Sequence, residues 1–257
     1  MYKFLTKAAE FASKLLDFII ISAIILLLLF GVYSMYDIYS LFQDSELTDA
    51  VLQYKPTVVE VNELPQDNSL TFDELQSVNS DVCAWITITN TKIDYPIVIS
   101  KDNMDYLNVN VLGEYSLSGS IFCDHRNNSD FTDQVTLVYG HNMNDYAMFG
   151  EIPSFASSST FSSKQDGLLF LPNATYKLKV MAYIEVQEGN REIYSVQYIN
   201  SRAANDYISY ISQNAEHYRD LSQYAGDRYL ALSTCSSEST NGRCLLILKI
   251  LDDQNGG

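Results

Sequence analysis

Hydrophobic positions change their rhythm three times along the chain. From Phe18 to Tyr36 an uncharged run carries Ile19, Ile20, Ile21, Ile24, Ile25 and Leu26 to Phe30. Nineteen residues in a helix reach about 28 Å, close to the hydrocarbon thickness of a bilayer. No polar face interrupts the run, so it does not read as a buried core helix. Residues 37–70 are weakly patterned, with Pro56 and Pro65, and predict a short juxtamembrane helix and a linker. Thr71 followed by Glu74 predicts a capped helix start. From Trp85 onward the period falls to two. Strands are predicted over Trp85–Ile88, Ile93–Ile99, Gly119–Cys123, Gln134–Tyr139, Leu168–Leu171, Tyr176–Glu185, Glu192–Ile199, Arg228–Ser233 and Arg243–Ile250. Pro96 favours an edge or a break within its strand. One helical pattern intervenes at Arg202–Arg219, with Tyr207, Ile208, Ile211 and Ala215 as its apolar face. Many short strands around one helical insertion predict a single barrel-like, mainly β domain. The predicted organisation is an N-terminal stretch 1–17, a transmembrane helix 18–36, a juxtamembrane region 37–70 and a folded domain 71–257.

Charge decides the direction of the anchor. Lys3, Lys7 and Lys14 precede the apolar run, and Asp37, Asp44, Glu46 and Asp49 follow it. This asymmetry puts the N-terminus in the cytoplasm and the larger part outside the membrane. A cleaved signal peptide shares the basic start and apolar core. The run is long for one, however, and its exit at Gly31–Met35 has no small-x-small cleavage site. In the whole chain, 32 acidic residues face 16 basic ones, with a pI near 4.4. Nucleic-acid binding needs a basic footprint and is excluded on this ground. An acidic domain is also repelled by an anionic surface, so the tether rather than charge holds it there.

Two strand ends carry candidate chemistry. Thr136–Tyr139 runs into Gly140 and presents His141, and Leu232-Ser233-Thr234 runs into Cys235. After a polar loop, Arg243 opens the last strand. A thiolate attacking a carbonyl, a histidine protonating the leaving amine and a guanidinium on the oxyanion together make a cysteine acyl transferase. Cys235 and Arg243 flank one loop and share a rim if their strands pair antiparallel. Alternation sets Arg243, Leu245, Ile247 and Lys249 on one face and Cys244, Leu246, Leu248 and Ile250 on the other. Cys244 is thereby separated from Arg243. Cys83 and Cys123 sit in apolar strand contexts, where a small hydrophobe is the default reading. A lone cysteine or histidine is more often structural, so neither residue identifies an activity without the other. Four cysteines are too few for a disulfide scaffold, and no ligand set has zinc-site spacing. Neither a metal nor a cofactor is expected. Ser233, Thr234, Asn142, Met143, Ser236 and Glu238 flank the three chemical residues and are candidates for the substrate pocket.

The chain resembles the sortases, membrane-anchored cysteine transpeptidases of Gram-positive bacteria, and within them class B. The residues that carry the likeness are Ala231-Leu232-Ser233-Thr234-Cys235, Tyr139-Gly140-His141 and Arg243. Asp81–Ile86, Ile93–Ile97, Asp102–Leu107, Gly119–Asn127 and Met148-Phe149-Gly150 add class B character, as does the helix before the cysteine strand. The likeness spans about residues 71 to 250. It implies a closed eight-stranded β-barrel with N-terminal helices and one inserted helix. It also implies His141, Cys235 and Arg243 as catalytic residues. Cys235 would cleave a C-terminal sorting signal of Asn-Pro-x-Thr-x type in a secreted protein, forming a thioester. An amine of a peptidoglycan precursor, or a pilin lysine, would resolve it. The alternatives are a pilin polymerase, a thiol protease in which water replaces the amine, and a catalytically silent membrane-tethered binding module. Ala231 replaces the usual leading threonine, Cys83 stands where glycine is frequent, and the Cys235–Arg243 loop is short.

Overall fold

The computed structural model describes residues 2–56, 69–195, 201–221, 226–235 and 241–251. Two compact units divide the chain, residues 1–49 and 50–257. The first is built on helix α1, Tyr2–Leu52, whose segment Glu10–Tyr36 is long and apolar enough to cross a membrane. Its large apolar side chains, among them Ile19, Leu27 and Phe30, are exposed along the whole run. An apolar run of this length suits a single membrane anchor. The helical repeat continues past Tyr36 without a break to Leu52.

In the second unit, helix α2 spans Ser69–Val78. This helix begins two residues before Thr71, so Thr71 lies inside it and does not cap it. Phe72 and Leu75 of α2 are buried with Trp85. Among the described residues nine strands follow: β1 Val82–Ile88, β2 Asp94–Val98, β3 Ile121–Cys123, β4 Val135–Tyr139, β5 Asp166–Leu171, β6 Ala174–Gln187, β7 His217–Tyr218, β8 Arg228–Cys235 and β9 Gly242–Leu251. The order β5-β1-β2-β3-β4-β8-β9-β6 closes through a β5–β6 hairpin, and β7 adds two residues to β6. The result is a closed eight-stranded barrel. It is mixed, because β2–β3 and β4–β8 are parallel and the other pairs antiparallel. Closure removes the unpaired edges that an open sheet of this length would expose.

Alternation in β8 and β9 divides two cores. Leu230, Leu232, Cys244, Leu246 and Leu248 face the barrel interior. Ala231, Leu245 and Ile247 face outward, where Ile193, Tyr207, Ile208 and Ile211 cover them. The covering residues come from α4, Arg191–Tyr194, and α5, Ser201–Asn214; α3, Ser158–Ser163, lies between β4 and β5 in the chain.

Two expectations are corrected here. Glu192–Tyr194 is helical rather than extended, because Asn190 caps the turn by accepting from Ile193 N at 3.2 Å. Residues 196–199 of that expected strand lie outside the described residues. The expected helix to Arg219 stops at Asn214, where Asn214 Nδ2 donates to Tyr210 O. The chain then bonds β6 through Glu216 N to Tyr183 O and Arg219 N to Met181 O.

Lys249, on the outward face of β9, is 5% exposed and bonds Asp227 at 2.6 Å. Lys249→Met removes the ammonium from beside the buried Asp227 carboxylate. Breaking such a pair costs about 3–5 kcal/mol, or about 6–20 °C in Tm for a domain of this size. Thermal unfolding of the purified protein in detergent checks this, and a change under about 2 °C would contradict it.

Candidate active site

β-Pairing places the three sequence-singled residues at one end of the barrel wall. Cys235 is the register partner of Arg243 across β8–β9. In the parallel β4–β8 pair, Tyr139 is level with Ser233, and Gly140 N donates to Ser233 O at 3.2 Å. Beyond this pair β4 ends and the chain leads through Gly140 to His141, while β8 runs on to Cys235. Arg243 shares the outward face of Leu245 and Ile247, and Ser233 that of Ala231. Arg243 and Ser233 therefore lie on the outside of the wall, at the end of the sheet.

Close packing brings His141 to this rim. A Cβ on Gly140 would meet Ile121 Cδ1 at 2.4 Å and the Phe149 ring at 2.7 Å, so only glycine lets β4 turn here. Phe149 N donates to His141 O at 3.0 Å and Met148 N to the Tyr95 hydroxyl at 2.9 Å. Asp145, Tyr146 and Met148 in this loop take positive φ angles of 57°, 63° and 54°, a cost that non-glycine residues bear where surrounding bonds hold them. His141 Nε2 lies 2.8 Å from Leu107 O. A carbonyl only accepts, so Nε2 carries the proton and Nδ1 is left for proton exchange. Gly119, at φ +59°, makes room for that carbonyl, since a Cβ would lie 2.5 Å from it.

Arg243 is half-buried. Its Nη1 donates to Gly242 O at 3.0 Å, and its Nη2 pairs with Glu188 Oε1 at 3.1 Å. Glu188 follows β6, and its N–H donates to Asn241 O at 2.8 Å, which fixes the chain that presents the carboxylate.

The pocket candidates separate. Ser233 is buried, and its Oγ lies 3.1 Å from the Tyr194 hydroxyl. Thr234 alternates to the interior face, is 2% exposed, and its hydroxyl has no hydrogen-bond partner among the described residues; it does not line the rim. Asn142 pairs with Met148 in an isolated bridge, and Met143 packs partly buried against the interior core. Ser236 and Glu238 lie outside the described residues.

Cys83, Cys123 and Cys244 are reduced thiols buried in the barrel. Burial pushes Cys83 up to about 12 and Cys123 well above the ordinary thiol value. Cys244 sits beneath the Tyr183 hydroxyl at 3.3 Å. A nucleophile needs accessible thiolate, which these settings deny.

Asp124, Arg126, Tyr194 and Glu188 escaped the sequence reading as site residues. Asn190 before Arg191-Glu192 was the available signal for Tyr194, since it marks a helix start. Burial alone would raise the Asp124 carboxyl, but side-chain and backbone hydrogen bonds from Arg126 and the Tyr139 hydroxyl outweigh it and bring it to about 2. Its contribution to stability is thus present above about pH 4, the ordinary carboxylate range, and lost as pH falls through about 2.

This barrel and rim define the architecture of a cysteine transpeptidase. The chain is 33% identical over 171 residues to sortase B of Listeria monocytogenes, covering 64% of this chain and 67% of that protein. A Streptococcus pyogenes class B sortase involved in pilus biogenesis superposes with a TM-score of 0.64 at 36% identity, covering 70% of this chain and 97% of that one. A mutant form of Clostridium perfringens sortase B gives a TM-score of 0.73 at 27% identity, over 81% of this chain and 98% of that one. No protein-family model matches. The chain belongs to the class B sortase family.

Proposed function

We propose that this protein is a membrane-anchored transpeptidase that cleaves an Asn-Pro-x-Thr-x sorting signal through a thioester on Cys235 and passes the protein to an amine of a peptidoglycan precursor. The observation that carries the reading is the register: Cys235 is opposite Arg243, and β4, which leads to His141, runs parallel beside the cysteine strand with Tyr139 level with Ser233. Cys235 Sγ attacks the threonine carbonyl, and the C–N bond breaks as His141 gives a proton to the leaving amine. The incoming amine then gives a proton to His141 as it attacks the thioester, and the C–S bond breaks to release the Cys235 thiolate. Arg243 donates to the oxyanion in both steps, for which its several fixed N–H groups suit it. The N-terminus lies in the cytoplasm and residues 37–257 outside, as the lysines before the apolar run favour.

Arg243→Lys tests the role of the fork. The charge remains, but the planar donors go, and loss of an oxyanion donor costs about 10²–10³ in rate. The fall should lie in kcat with little change in KM. A rise in KM with kcat intact would make Arg243 a substrate anchor instead.

A second reading, polymerisation of pilin through lysine, is favoured by the likeness to the S. pyogenes pilus sortase. The short stretch between Cys235 and Arg243 offers little platform for a protein acceptor, which favours the small amine. Supplying an oligoglycine amine and a pilin domain in parallel separates the two.

A further inference from the structure

The stretch Asp124-His125-Arg126-Asn127 has no task in the chemistry above, although it belongs to the class B likeness. Asp124 is completely buried. Five hydrogen bonds reach its carboxylate: Arg126 N at 3.0 Å, Arg126 Nε at 2.7 Å, Arg126 Nη2 at 2.6 Å, the Tyr139 hydroxyl at 2.9 Å and Asn103 Nδ2 at 3.1 Å. His125 Nδ1 stands 3.7 Å away. The donors come from the loop before Leu107, from the turn after β3 and from the end of β4. Leu107 supplies the carbonyl that holds His141, and Tyr139 lies two residues before that histidine.

Arg126 reaches further. The same Nη2 donates to Tyr194 O at 3.1 Å. Tyr194 is the last residue of α4, and its hydroxyl meets Ser233 Oγ two residues before Cys235. The end of α4 is therefore tied twice, by its backbone to Arg126 and by its ring to the cysteine strand. A guanidinium can span a carboxylate and a carbonyl in one plane, whereas an ammonium on a flexible stem holds one of them. If the pair served only to fill the interior, an apolar pair would do as well or better.

We propose that Asp124 and Arg126 are positioning residues: the carboxylate fixes the guanidinium, and the guanidinium fastens α4 beside Cys235 as a wall of the groove that takes the sorting peptide. The proposal rests on the transpeptidase reading for its groove and extends it to residues remote from the reacting atoms. The pair sets peptide binding and leaves the chemical step to His141, Cys235 and Arg243.

Arg126→Lys carries the test, because it keeps the charge beside buried Asp124. Full-length protein in detergent is assayed with a fluorogenic Asn-Pro-Ala-Thr-Gly peptide, and amide exchange is followed at Ile193 and Tyr194. Hydrogen bonds to charged groups set the scale at about tenfold or more. The expected result is KM raised about tenfold, kcat within about twofold, and exchange in α4 at least about tenfold faster, with Leu230–Leu232 unchanged. Wild-type KM with wild-type exchange in α4 would overturn the proposal. So would loss of protection throughout the barrel, which marks a merely structural pair. If the parent protein cleaves no peptide, the transpeptidase reading fails, and exchange alone decides the clamp: selective loosening of α4 supports it, and an unchanged α4 overturns it.

Discussion

Cys235→Ala should form no thioester with a sorting peptide, and its turnover should fall at least about 10⁴-fold, the scale seen when a nucleophile is removed. Three other cysteines make this prediction specific. Cys83 is fully enclosed, its Sγ donates to Ile97 O at 3.4 Å, and burial pushes its thiol up to about 12. Burial thus keeps it in the unreactive thiol form, away from the thiolate that attacks a carbonyl. Cys123 is 1% exposed, and burial raises it in the same direction. Cys244 lies on the inward face of β9, turned away from Arg243 by strand alternation. Alanine at any of these three removes a small buried volume and should leave transpeptidation intact once the protein is folded. Peptide turnover and intact mass of the four single variants check this. Normal turnover by the Cys235 variant, or loss of the adduct only in a Cys83 variant, would contradict the assignment.

His141→Ala should lower kcat/KM by about 10²–10⁴, the usual contribution of a positioned general acid–base. The local geometry makes the effect more than loss of an imidazole. Nε2 is committed to Leu107 O, so the ring is oriented and a single nitrogen, Nδ1, serves the proton transfers. The pH–rate profile of the wild type should be bell-shaped, and the variant should lose the limb that reports the histidine. An unchanged profile would remove His141 from proton transfer. An amine acceptor of lower pKa should recover part of the variant's acyl-transfer step, because it arrives deprotonated without help.

Much of the barrel was legible because its strands are two-sided. Alternation in Trp85–Ile88 and Arg243–Ile250 marks positions that must face one core or the other, and the strands form there. The rim pattern rests on the same reading: His141 comes after one apolar strand and Cys235 ends another. Boundaries set by single side chains were harder to read. Asn190 turned an expected strand into α4, and Asn214 ended α5 before the apolar pattern did. The Asp124 network was not legible at all. Its partners, Asn103, Arg126, Tyr139 and Tyr194, lie far apart in the chain and share no periodicity. The Glu188–Arg243 pair likewise depends on β6 and β9 being neighbours, which only barrel closure decides. Thr234 shows the limit of proximity in sequence, since one step along the strand from Ser233 turns it to the inward face of β8.

The central claim is that Cys235 carries an acyl group from a sorting signal to an amine. Intact-mass and peptide-map measurement on the full-length protein, mixed first with an Asn-Pro-x-Thr-x peptide and then with an oligoglycine amine, tests it most directly. The account predicts a mass gain equal to the peptide up to its threonine, located on Cys235. That gain should disappear on adding the amine as a threonine–glycine ligation product appears. An adduct on another cysteine, or cleavage that yields only the hydrolysed peptide at saturating amine, would contradict it.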